Sequence, residues 1–191
     1  MTRYAVIVRR WWTVPAALVV VITVCLVVGA NEIPVPTLSG GMGSAQLAYF
    51  TPVLLVVALM YCLDRRLPDV EAVAVLSVKR LDEYAVVITV LLAHAAGSAV
   101  GLNFARNVML VLALALLTRR VANEAAAAGV SLLFLIANVL LGRGLDPDGQ
   151  VTHTWWAVSL YPAGSRTAWL VSCALFLLSL PLAFSKTAAR R

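Results

Sequence analysis

The sequence predicts an all-α integral membrane protein, and three observations carry that reading. First, 62% of its 191 residues are hydrophobic and only 13% are charged, where a soluble domain has about 45–50% apolar and about 25% charged residues. Second, the apolar residues fall in six runs long enough to suggest about six transmembrane helices, with no soluble linker between them, so 1–191 reads as a single transmembrane domain. Third, the charges gather at one set of run ends. The pieces at the N-terminus, 64–83, 119–120 and the C-terminus hold twelve Lys and Arg, and the other connections hold three. Positive charge marks the cytoplasmic side, which gives an N-in/C-in topology. Thirteen of the fifteen basic residues are Arg in a chain rich in Ala, Val and Leu, a composition that fits a high-GC bacterial origin and a multi-pass protein of the bacterial cell membrane.

Arg3, Arg9, Arg10 and the Trp11–Trp12 pair form a basic, aromatic collar ahead of segment one, about Val14–Ala30. The segment resembles a signal peptide but is long for one, and it is expected to stay in the protein. Asn31–Ala45 holds Pro34, Pro36, Gly40, Gly41 and Gly43 and reads as an irregular external loop. Its glycines lack the Lys and the preceding strand of a phosphate cradle. Segment two, about Gln46–Leu63, contains Pro52, read as a kink.

The charged island Asp64–Glu83 follows and reads as a cytoplasmic helix. Pro68 suits a first turn. Asp69 and Glu71 at its start and Lys79 and Arg80 at its end match the helix dipole. Val70, Val73, Ala74, Ser77 and Leu81 share one face. Such a helix suits docking on another protein or lying in the headgroups.

Segment three, about Tyr84–Leu102, carries Gly97-Ser98-Ala99-Val100-Gly101, a small-residue motif for close helix packing. Asn103–Asn107 reads as a tight turn before a short segment four, Val108–Thr118, which must borrow Phe104–Asn107 to cross a core about 30 Å thick. Segment five runs from about Ala125 to Leu141. In the external stretch Arg143–Thr167, Asp146-Pro147-Asp148-Gly149 is a turn by composition. Thr154–Pro162, with Trp155, Trp156 and Tyr161, is expected to lie in the outer interface or dip in as a re-entrant helix. Segment six is about Trp169–Phe184.

The chemistry is sparse. There is no P-loop, no HExxH and no nucleic-acid motif, and the sequence asks for no cofactor or metal. Cys25, Cys62 and Cys173 lie within or beside apolar runs and read as small buried residues. His94 and Ser98 stand one helical turn apart, without the acid or oxyanion hole of a serine hydrolase; His94 reads as a polar interhelical contact. Asn103, Arg106, Asn107, Glu124 and Asn138 read as span-end residues that cap or snorkel. Arg106 and Asn107, pressed between two spans, are with His94 the intramembrane polar candidates.

The basic N-terminus, the helical loop between spans two and three, the tight turn between three and four and the aromatic segment between five and six together resemble the membrane subunit of type-2 ABC exporters. Ala105-Arg106-Asn107 through Arg119-Arg120, and Trp155-Trp156-Ala157 through Pro162-Ala163-Gly164, look like small actinobacterial permeases of that kind. The resemblance implies a permease driven by a separate ATP-binding subunit, pairing with itself or a sister chain among membrane lipids, and exporting an amphipathic antibiotic, peptide or lipid. It implies that Pro68–Arg80 is the coupling helix, with Asp69, Glu71, Lys79 and Arg80 as its ionic contacts. It implies that Trp155, Trp156 and Tyr161 belong to an external gate. The sequence departs from the pattern after Glu71, where Ala72-Val73 stands in place of Gly-Thr. A non-transporting scaffold or immunity protein, and a membrane enzyme acting on lipid, are the alternatives.

Overall fold

A computed structural model describes residues 10–29, 31–37, 41–64, 78–145 and 151–185. They form six helices, five of them long and apolar enough to cross a membrane, as expected of a multi-pass membrane protein. The first, α1 (Thr13–Val28), has 16 residues and is about 24 Å long at 1.5 Å per residue. It is shorter than each of the five candidate spans, which have 18–21 residues.

Span two is a 3-10 turn, Leu47–Phe50, followed by α2 (Pro52–Asp64). Pro52 therefore opens the α-helix at its first position, where a missing N–H costs nothing. The expected kink within the span is instead a junction at its mouth.

The next helix, α3, runs without a break over Val78–Val100. Arg80 thus belongs to the span and does not close a separate loop helix. Nothing in Leu81-Asp82-Glu83 breaks a helix, so the turns continue through them. Asp69, Glu71 and the rest of 65–77 lie outside the described residues.

Helix α4 is Leu102–Val121. Asn103–Asn107 is helical, and the turn expected there shrinks to Gly101 at φ 116°, a conformation open to glycine and costly to other residues. Helix α5 is Glu124–Leu141; its cap is Asn123, whose side chain accepts from the Ala126 amide at 2.8 Å. Helix α6 is Arg166–Phe184, with Pro181 inside it.

The helix connections define two ends. At one, the stretch expected to be irregular forms a hairpin, β1 (Glu32–Thr37) on β2 (Gly41–Gln46), in the register Glu32↔Gln46 to Thr37↔Gly41. Pro34 and Pro36 share one parity. Both can therefore take the non-hydrogen-bonded sites of an antiparallel ladder, where no donor is missed. A second hairpin, β3 (Arg143–Leu145) on β4 (Val151–His153), flanks 146–150, which include the expected Asp-Pro-Asp-Gly turn and lie outside the described residues. Arg143 donates to the Ser44 carbonyl, joining the two hairpins.

At the opposite end the helix termini are tied by arginines. Arg119 Nε meets Glu124 Oε1 at 2.8 Å and its Nη2 donates to the Leu63 carbonyl at 3.1 Å. Arg120 donates to the Leu182 carbonyl, and Arg10 to the Tyr61 hydroxyl.

Helix α4 is the hub. It packs against α2, α3, α5 and α6, while α1 leans on α2 and α3, and α5 and α6 make almost no contact with each other. The neighbours therefore form an open ring around α4 with one gap. This is why the span with the lowest mean hydropathy of the five has the largest buried share: protein, not lipid, surrounds it.

Candidate functional site

The site is where α4 begins, beneath the segment that returns from the second hairpin. Gly101 turns the chain out of α3, and α4 starts one residue later. This places Arg106 in its second turn, facing inward. Arg106 is 0% exposed. It does not snorkel as a span-end arginine would.

Its partners come from the strap Thr154–Ser165. Nη1 donates to the Pro162 carbonyl at 2.9 Å and Nη2 to the Ser159 carbonyl at 3.0 Å. Nε and Nη2 also approach Asn107 Oδ1 at 3.4 and 3.3 Å. Asn107 Nδ2 donates to the same Ser159 carbonyl at 3.2 Å. The Ser159 hydroxyl donates to Asn138 Oδ1 at 3.0 Å, and Asn138 Nδ2 to the Phe134 carbonyl one turn back at 2.8 Å. One connected network thus ties α4, α5 and the strap.

Every acceptor of Arg106 among the described residues is a carbonyl or amide oxygen; none is a carboxylate. A lone buried cation is costly unless its donors are met. The planar guanidinium meets two backbone carbonyls and an amide at once, which a single ammonium cannot.

Apolar packing seals the network. Ala157 and Leu160 of the strap are buried with Ala45 and Val139, against Tyr49, Phe50 and Trp156. Gly142 lets the strap pass close: a Cβ there would lie 2.5 Å from the Ala157 Cβ. The Thr154 amide donates to the Gly142 carbonyl at 2.9 Å. The Ser165 side chain accepts from the Ala168 amide at 3.3 Å and so caps α6. The expected re-entrant helix is not one: the strap is a run of turns with a single 3-10 turn, Val158–Leu160. Pro162 and Gly164, at either end of a turn, leave no room for a regular helix. Of the expected gate residues, Trp155 is 84% exposed, while Trp156 and Tyr161 are half-buried.

The other expected site residues fall elsewhere. Arg80 is exposed. Lys79 is placed by its backbone on α3. His94 Nδ1 lies 2.8 Å from the Val90 carbonyl of its own helix, and its ring meets Trp169 of α6 at 5.9 Å. The interhelical contact of His94 is therefore aromatic, and its polar contact is local. Ser98 donates to the Ala95 carbonyl at 2.6 Å, so the two form no relay. Gly97 packs on α4, where its Cβ would stand 3.1 Å from that of Ala105; nothing lies within 4 Å at Gly101, which serves the turn and not the packing. Asn103 lines a small cavity of about 80 Å³ with Gln46, Tyr49 and Asn107. No group of three His, Cys, Asp or Glu among the described residues could hold a metal.

Sequence reasoning flagged Arg106 and Asn107 and read Asn138 as a span-end residue, but missed that Asn138, Ser159 and Gly142 serve the same network. An Asn inside the apolar run of segment five was the available signal. The arrangement holds no nucleophile beside a base. What it can do is hold a segment shut. The chain matches no protein-family model, and no curated protein or solved structure is significantly similar to it.

Proposed function

We propose that this chain is a permease subunit of an ABC-type exporter, worked by a separate ATP-binding subunit in a bacterial cell membrane. The observation that carries the reading is a single helix latched at both ends. Arg106 of α4 holds the strap at the hairpin end, and Arg119 of α4 holds the Leu63 carbonyl at the other. Leu63 stands just ahead of the expected coupling helix, Pro68–Arg80. A push on that helix therefore has a short route into α4 and along it to the strap. Such a rigid-body path is how closure of a motor reaches a distant gate.

On this reading the hairpin end faces outward and the strap, with Trp155, Trp156 and Tyr161, closes the exit. Asp69, Glu71, Lys79 and Arg80 meet the ATPase. The path for an amphipathic substrate needs a second copy or a sister chain, because the buried polar groups of the network are engaged within this one. That same observation favours the alternative, a scaffold or immunity protein, which needs no path at all.

Co-purification in mild detergent separates the two. The wild type is expected to bring an ATPase with it, and a Glu71→Arg, Lys79→Glu double variant to lose it. No ATPase with either form would overturn the transporter reading.

A further inference from the structure

The gap in the ring around α4 is a groove. Its floor is α4 from Leu110 to Leu117, its walls are Phe134 of α5 and Leu175 of α6, and its roof is Trp156 and Val158 of the strap. Its volume is about 200 Å³. The floor spans seven helical steps, or about 10 Å at the helical rise. Spread along that floor, the volume makes a narrow slot. That admits one alkyl chain at ordinary carbon contact distances of about 3.5–4.0 Å. It does not admit a helix, which is about 10–12 Å wide.

Leu114, Leu117, Phe134, Trp156 and Val158 are half-buried and Leu175 is exposed, so the groove opens sideways. It opens between two spans, at the depth of their middle turns, and every lining side chain is apolar. Hydrocarbon is what a bilayer presents there. Trp156 marks the strap end of the groove; tryptophan favours the level just below the headgroups.

We infer that this groove is a lipid site that holds one acyl chain of a phospholipid, with the headgroup end beside Trp156. The site shares its roof with the latch: Val158 precedes Ser159, whose carbonyl Arg106 holds. An acyl chain in the groove therefore supports the strap from below. This does not depend on transport and would hold equally for a scaffold.

The test uses the full chain in phosphatidylethanolamine nanodiscs doped with phosphatidylglycerol that carries a diazirine halfway along one acyl chain. After illumination, labelled residues are mapped by mass spectrometry. Leu114, Leu117, Phe134 and Leu175 are expected to carry severalfold more label than the outward faces of α1 and α6, such as Val19–Val20 and Leu177–Leu178. Ala113→Phe, which fills the floor, should remove the groove label and leave that on α1. Leu114→Trp, at a half-buried position, serves if Ala113→Phe does not fold. Equal labelling of groove and outer faces, no response to the filling variant, or capture of a second copy's helix at the groove would each overturn the inference.

Discussion

Replacing Arg106 by Met should loosen the strap more than it unfolds the bundle. Met is unbranched and apolar, and it has no donors. The Ser159 carbonyl keeps the Asn107 amide, and the Pro162 carbonyl keeps the Ser165 amide at 3.0 Å. Neither carbonyl is therefore orphaned, and the loss is that of the two charge-assisted bonds to them at about 1.5–3 kcal/mol each, together with the longer contacts to Asn107 Oδ1. Against this stands the relief of burying no charge, worth several kcal/mol. Polar contacts inside membrane bundles measure only about 0.6–1.7 kcal/mol net, so a total near 2 kcal/mol is the expectation. That is a roughly thirty-fold shift toward the open strap at about 1.4 kcal/mol per tenfold. Arg106→Lys should be worse than Met. It keeps the buried charge but offers a point donor in place of the fork. Hydrogen exchange in nanodiscs at the amides of Ala157, Leu160 and Ser165 reads the strap directly, since each donates within it. Wild-type exchange rates in the Met variant, or a Lys variant that behaves as wild type, would refute the reasoning.

Changes at four further positions probe the supports. Gly142→Ala should cost about 1–3 kcal/mol by overpacking against the Asn138 carbonyl and Ala157, seen as a lower midpoint in thermal unfolding in detergent. Gly101→Ala, at φ 116°, should cost at least about 1 kcal/mol by the same assay, while Gly97→Ala, 3.1 Å from the Ala105 Cβ, should be milder than Gly97→Leu, which cannot fit between α3 and α4. Asn123→Ala removes the α5 cap and should cost about 1 kcal/mol, with faster exchange confined to the Ala126 amide and its neighbours.

The spans were legible because lipid demands long apolar runs, and the ends of α5 and α6 match their runs closely. The role of α4 was not legible. Its Asn103, Arg106, Asn107 and Thr118 shorten the apolar run, so it reads as the weakest span. Those residues are there because protein surrounds it. The partners of Arg106 were hidden for a different reason: a backbone carbonyl leaves no mark in a sequence. The β1–β2 hairpin was masked by Pro34, Pro36 and the glycines, whose spacing alone does not say that a partner strand follows. Gly101 was noticed for its spacing from Gly97, but its work is in the turn.

If the chain is a permease, the strap must open when the motor turns over. With Cys25, Cys62 and Cys173 replaced, Ala157→Cys places one thiol at a position that is 0% exposed. The variant, copurified with its ATPase and reconstituted in vesicles, is treated with a membrane-impermeant maleimide from the hairpin side, with and without ATP. The account predicts protection without ATP and labelling with it. The same labelling rate in both conditions would contradict it.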